Sequence, residues 1–203
     1  MDLVTRNKWN RAAKSFDTMA GFGPEKRWEP SKRALFEKMG TGRILFLAIG
    51  TGLDIPFFPP ARNILGIDIS DRMLEQAAPR ASAYEGTLVL QQVDVHDMPF
   101  GNETFDQIFT SCTFCSVPKP VDGLRALYRV LKKGGELHMF EHTGSRYFPF
   151  NLMLDMMAPL SRKFGPDMNR PTVENVMAAG FHLLDVKHVY LDVVKTISAR
   201  KSQ

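Results

Sequence analysis

From residue 43 onward, short apolar runs alternate with amphipathic segments. The runs at 43–48, 63–67, 87–93, 105–111 and 136–141 predict strands. Between them, Ser70 is placed to cap a helix through Met73, Leu74, Ala77 and Ala78. Residues 121–131 place Val121, Leu124, Leu127, Val130 and Leu131 on one helical face, with Lys133-Gly134-Gly135 as the stop. Residues 151–164 read as a Met-rich helical insert, and Pro171 to Ala179 as a helix stopped by Gly180. Segments 181–190 and 192–199 predict two closing strands, paired as an antiparallel hairpin. Ahead of the first strand, Trp9, Ala12, Ala13, Phe16 and Met19 recur at helical spacing within 5–20. A second helix is expected over 31–39, opened by Pro30-Ser31 and closed by Gly40. Strands separated by helices predict an α/β fold with a mostly parallel sheet covered on both faces. The expected organisation is an N-terminal helical lid or substrate segment over 1–40. The main domain follows over 41–203, with a helical insert at about 144–170.

In such sheets, ligands bind beyond the C-terminal strand ends. Three of those ends carry unusual residues. The first strand runs into Gly50-Thr51-Gly52, the second into Asp68 and the third into Asp94. Small residues let the backbone approach a ligand, and a carboxylate accepts from two ribose hydroxyls. Asp94 can accept from an exocyclic amine while the Val95 amide reads a ring nitrogen. Each signal has a plain alternative as a turn or cap. In order, at matching strand ends, they describe a nucleoside pocket. The full G-x-G-x-x-G is absent, and Asp54 would repel a pyrophosphate, which argues against a dinucleotide.

Composition narrows the picture. The chain has 203 residues, enough for one well-buried domain and a small appendage. Cys112 and Cys115, its two cysteines, cannot build a four-ligand zinc site or a disulfide framework, so no metal and a reducing, cytoplasmic compartment are expected. The polar N-terminus predicts no secretory leader, and no apolar stretch reaches spanning length. Residues 1–40 hold nine Lys/Arg against five acids, which accounts for the whole net charge of +4. A basic amphipathic N-terminal helix can meet an anionic membrane surface peripherally, or be a solvated face.

The pieces LAIGTG at 47–52, GID at 66–68, VDVHDMPF at 93–100, FDQIFTSCTFCSV at 105–117 and LRALYRVLKKGGEL at 124–137 resemble the class I S-adenosylmethionine-dependent methyltransferases. The last of these resembles the ubiquinone/menaquinone-methyltransferase-like subgroup. The resemblance implies a Rossmann-like sheet of seven strands, the last antiparallel, with S-adenosylmethionine as cofactor and S-adenosylhomocysteine as product. It implies that Ala48, Gly50 and Gly52 lie beneath the methionine part and that Asp68 binds the ribose. Ile69 and Met73 would flank the adenine, Asp94 and Val95 would read its edge, and Ser111 would close the pocket. Two positions depart from the family pattern. Phe46 stands where an acid is usual, and Ala48 stands where a third glycine is usual, a mild change if its φ is negative.

A sulfonium donor carries its own activation, so the protein mainly aligns the acceptor and excludes water. A general base is required only for a protonated nucleophile; Glu141 and His142, following the fifth strand, are the candidates. Acceptor contacts are expected from Trp9 and Phe16, and from Arg146, Tyr147 and Arg170 in or beside the greasy insert. A lipophilic, membrane-derived acceptor fits this set. The short bacterial phosphatidylethanolamine N-methyltransferases and the membrane-associated alkyl-thiol S-methyltransferases are the two subgroups it resembles. Lipid amine N-methylation is the first expectation, with thiol S-methylation or quinone-ring methylation as alternatives. No amine-clamp motif of nucleic-acid methyltransferases follows strand four, so no nucleic-acid partner is expected. A non-catalytic cofactor-binding regulatory module is the reading from another class. The sequence does not indicate an oligomeric state.

Overall fold

A computed structural model describes residues 1–203 except 22–24, 146, 150, 154–155, 157–166 and 168. Its centre is a seven-stranded sheet in the order β3-β2-β1-β4-β5-β7-β6. The strands are β1 (Arg43–Leu47), β2 (Asn63–Asp68), β3 (Thr87–Gln92), β4 (Phe105–Ser111), β5 (Leu131–His142), β6 (His182–Tyr190) and β7 (Val194–Arg200). β1 to β5 pair in parallel, and β7 inserts antiparallel between β5 and β6. The strand order reverses between β1 and β4, which opens the crevice where such sheets bind ligands.

The helices are α1 (Leu3–Gly21), α2 (Glu25–Phe36), α3 (Asp71–Ser82), α4 (Pro120–Val130) and α5 (Thr172–Ala178). Two apolar clusters cover the two sheet faces. One packs Leu124, Leu127 and Val130 of α4 and Val176 of α5 against Leu45, Ile108, Leu137 and Ile197. The other packs Trp28, Leu35 and Phe36 of α2 against Ile44, Phe46, Ile64, Phe109 and Phe140. Buried side chains on the inner strands β1, β2, β4, β5 and β7 supply both faces at once, while the edge strands β3 and β6 carry none.

Three boundaries differ from the sequence expectation. The second helix begins at Glu25 and carries Pro30 inside it. Trp28 packs on Phe140 with ring centroids 5.8 Å apart, and that burial outweighs the local cost of the proline. β5 starts at Leu131, immediately after α4, because Leu131 already pairs with Phe105 before a bulge. β1 stops at Leu47 because Ala48 turns the backbone left-handed, with φ of 55°. The expected 151–164 helix lies largely outside the described residues; 151–153 and 156 are helical.

Candidate active site

The tips of β1, β2, β3 and β4 surround one cleft of about 810 Å3 of empty space, part of it open to solvent. Ala48, Gly50, Asp68, Ile69, Met73, Asp94, Val95 and Ser111 all line it. The glycine loop explains why. Gly50 has φ of 58°, and a Cβ there would project into open space, so the backbone itself forms the wall. Gly52 is different and does not line the cleft. A Cβ at Gly52 would sit 2.7 Å from Ile55 Cδ1 and 3.3 Å from Ala77 Cβ, so its glycine seats the loop against α3. Ala48 occupies a positive φ, which corrects the expectation of a mild change; an L-residue with a Cβ is strained there by about 1–2 kcal/mol.

Asp68 is the electrostatic centre. Its Oδ2 accepts the Gly50 amide at 2.9 Å and its Oδ1 accepts the Ser70 amide at 2.9 Å. Burial pushes its carboxyl up to about 6, while the amides of Ser70, Gly50 and Ile69 pull it down. Ser70 caps α3 by accepting the Met73 amide, so the cap and the cleft-lining acid are separate residues. At the neighbouring tip, Asp94 accepts from the His96 amide at 2.9 Å, faces His96 Nδ1 at 3.1 Å and accepts the Asp2 amide at 2.7 Å. Burial works against its charge, but these hydrogen bonds hold its carboxyl below the usual range.

α1 roofs the cleft. Asp2, Thr5, Trp9 and Phe16 line it from above. The helix is tied down along α3: Asn10 Nδ2 donates to Asp71 at 2.7 Å, Gln76 donates to the Ala13 carbonyl at 2.8 Å, and Arg80 pairs with Asp17 at 2.7 Å. Trp9 and Phe16 stack edge-on with centroids 6.2 Å apart, forming an aromatic ceiling.

The structure corrects four site expectations. Glu141 does not face the cleft. It is fully buried and accepts from Thr110 Oγ1 at 2.9 Å and from the Thr113 and Phe114 amides at 3.1 Å each. Burial pushes its carboxyl up to about 7; its visible work is to order the loop after β4. His142 points to the opposite sheet face, as adjacent strand residues must, and packs 4.9 Å from the Trp28 ring. Tyr147 is 65% exposed and outside the cleft. Arg170 lines a separate, smaller pocket beside Thr172 and Lys195, with Asp167 at 3.3 Å. Arg146 lies outside the described residues.

Sequence reasoning missed Asp2, Thr5, Cys112, Thr113, Ser116 and Val117 as lining residues. Only the TFCSV segment carried a signal for some of them, as the loop after a strand tip. Cys112 lines the cleft, and burial raises its thiol well above the ordinary value; Cys115 is pushed up to about 12. Both stay protonated at neutral pH, as expected for non-reactive thiols.

The family model described as a methyltransferase domain matches residues 45–139. The ubiquinone/menaquinone biosynthesis C-methyltransferase UbiE of Geotalea daltonii is 31% identical over 159 residues, covering 70% of this chain and 68% of that protein. The chain belongs to the class I S-adenosylmethionine-dependent methyltransferases. This methyltransferase also matches the phosphatidylethanolamine N-methyltransferase of Cereibacter sphaeroides, 33% identical over 103 residues. That match covers 50% of this chain and only about half of the relative, 51%. In structure it is similar to a putative methyltransferase of Bacillus halodurans, with a TM-score of 0.70 at 17% identity, covering 86% and 99% of the two chains. The enzyme class and the methyl donor follow from the family. The cleft fits the donor on its own terms. An open glycine wall, a buried carboxylate at the second strand tip and a largely apolar lining suit the phosphate-free nucleoside part of that donor.

Proposed function

We propose that this methyltransferase methylates a lipophilic acceptor presented at a membrane surface, an amine of the phosphatidylethanolamine type being the first choice. One observation carries the proposal: the roof helix turns a mixed apolar and basic face outward. Leu3 and Val4 are 56% and 79% exposed at its tip, and Arg11 and Lys14 are exposed along the same stripe. Tyr147, Phe148, Leu152, Met153 and Met156, on the segment after β5, are exposed as well. Exposed apolar side chains together with exposed basic ones on one helix suit an anionic lipid surface. Among the described residues no helix is long and apolar enough to cross a membrane. A second reading, methylation of a quinone ring carbon, is favoured by the wider coverage of the UbiE relatives.

In this reading Gly50 and Ala48 give the methionine part a backbone floor. Asp68 accepts the ribose hydroxyls, Ile69 and Met73 flank the adenine, Asp94 and the Val95 amide take its edge, and Ser111 closes the side. When bound, the sulfonium cofactor supplies an already activated methyl group. The protein then holds the acceptor in line and keeps water out, a contribution of about 7–11 kcal/mol in well-oriented reactions. Trp9 and Phe16 provide the dry ceiling. Glu141 and His142 do not reach the cleft; the lipid ammonium gives its proton to water before it enters, and the neutral amine then takes the methyl group and leaves as the methylated ammonium.

Methyl-labelled cofactor tests the acceptor in separate assays with vesicles of phosphatidylethanolamine and anionic lipid, a demethylated quinol, and an alkyl thiol. Label in the lipid amine supports the proposal. Label on the quinol ring alone selects the second reading, and label on the thiol alone overturns both.

A further inference from the structure

The methyl donor is a nucleoside at one end and an amino acid at the other. The amino-acid end carries an ammonium and a carboxylate, and each requires an opposite charge once it is buried. The described cleft lining has three carboxylates, Asp2, Asp68 and Asp94, and no lysine or arginine. Two of these acids sit at the tips of β2 and β3, and Asp2 hydrogen-bonds to Asp94 through its amide. Asp2 and Asp94 therefore sit together past the end of β3, while Asp68 lies against the glycine loop through the Gly50 amide. The wall at Ser111, Cys112 and Thr113 has no formal charge of its own. Phe46 supplies none either: its ring is buried in the aromatic cluster, 4.9 Å from Phe58 and 5.6 Å from Phe36.

Just behind that wall lies a buried ion pair. Lys32 Nζ of α2 meets Asp54 Oδ1 at 2.9 Å, the residues being 3% and 9% exposed. Asp54 stands two residues after Gly52 in the glycine loop. Lys32 Nζ lies 5.4 Å from the centre of the Phe140 ring, in the strand beside Cys112. Lys32 and Asp54 both act electrostatically on the Cys112 thiol, which lines the cleft. A buried pair is weak support for a fold, since apolar residues of the same volume often serve as well. Its position is better explained by a ligand. The other ion pair near the loop, Arg80–Asp17, is about a third exposed, and its groups hold Thr51 and α1.

We propose that Lys32 and Asp54 form the subsite for the amino-acid end of the cofactor, Lys32 taking the α-carboxylate and Asp54 the α-ammonium. The assignment rests on the cofactor reading above and deepens it. A zwitterion laid across the pair exchanges one buried ion contact for two charge-assisted ones, so neither protein charge is left alone.

Two ligands separate the subsite from the rest of the cleft. S-adenosylhomocysteine carries the amino-acid end; 5′-methylthioadenosine carries the same nucleoside without it. Titration calorimetry on the full chain should find that Lys32→Met weakens S-adenosylhomocysteine about 10- to 100-fold, the range for losing a charged hydrogen bond. Binding of 5′-methylthioadenosine should stay within about twofold, since no lost contact faces it. Lys32→Arg should recover part of the loss. The double change Lys32→Met with Asp54→Leu leaves no lone buried charge and should fold, with the same selective loss. Equal losses for both ligands, or no loss for either, overturn the subsite. A wild-type protein that binds both equally well also overturns it, while the cofactor assignment stands. A wild-type protein that binds neither overturns both.

Discussion

Asp68 offers the sharpest test of the pocket, because its fold contacts and its ligand contacts separate. Burial raises its carboxyl from 3.8 to about 6. The folded protein therefore holds that proton more tightly than the unfolded chain. The stability from this group is fully present below pH 3.8 and is lost as pH rises through 6; at neutral pH the buried charge costs about 3 kcal/mol. Asp68→Asn removes that cost. It also turns an NH2 group toward either the Gly50 or the Ser70 amide, for about 1–3 kcal/mol in the other direction. The two nearly cancel, so the variant should unfold within about 2 kcal/mol of wild type in urea at pH 7. Binding behaves otherwise. Two ribose hydroxyls donating to an ionised carboxylate are charge-assisted bonds, and their loss should weaken S-adenosylhomocysteine about 100-fold or more. The wild-type affinity should fall as pH drops below about 6, approaching tenfold per unit, while the variant stays flat over the same interval. Calorimetric titration from pH 4.5 to 8 reads both. A flat wild-type profile, or an Asn variant that binds normally, would refute the assignment of Asp68 to the ribose.

Ala48→Gly should raise stability by about 0.5–1 kcal/mol, since the strain at positive φ exceeds the added freedom of the unfolded chain; a lower urea midpoint would contradict the left-handed turn. Gly52→Ala should destabilise by about 2 kcal/mol or more, because its Cβ would overlap Ile55 at φ of 83°, and thermal unfolding will show whether the loop gives way. Glu141 has its carboxyl raised from 4.5 to about 7, so its stability contribution is present below pH 4.5 and lost as pH rises through 7. Glu141→Gln should therefore flatten part of the wild-type decline in urea stability between pH 5 and 8 while the folded enzyme still turns over. Complete loss of turnover in a folded variant would restore a catalytic role.

The cleft lining at the strand tips was readable because it is local. A glycine turn or an acid at a strand tip announces itself within a few residues, and LAIGTG, GID and VDVHD did so. The sheet topology was readable for a similar reason, through alternation of strands and helices. What escaped depends on contacts distant in sequence. Asp2 reaches Asp94 across ninety-two positions, and Lys32 reaches Asp54 across twenty-two. Glu141 and His142 both follow the same strand, and the pattern alone could not say that one would be buried under the β4 loop and the other turned to Trp28. Pro30 argued for a helix start, and only the burial of Trp28 explains why the helix begins five residues earlier.

The ties between α1 and α3 also bear on speed. If a nucleoside passes beneath Trp9 and Phe16, a helix anchored through Asn10, Ala13 and Asp17 has to lift for it, and again for the spent one. Association should then run slower than diffusion allows, and turnover should slow as solvent viscosity rises. Exchange of the spent nucleoside, more than bond making at the sulfur, would set the enzyme's tempo.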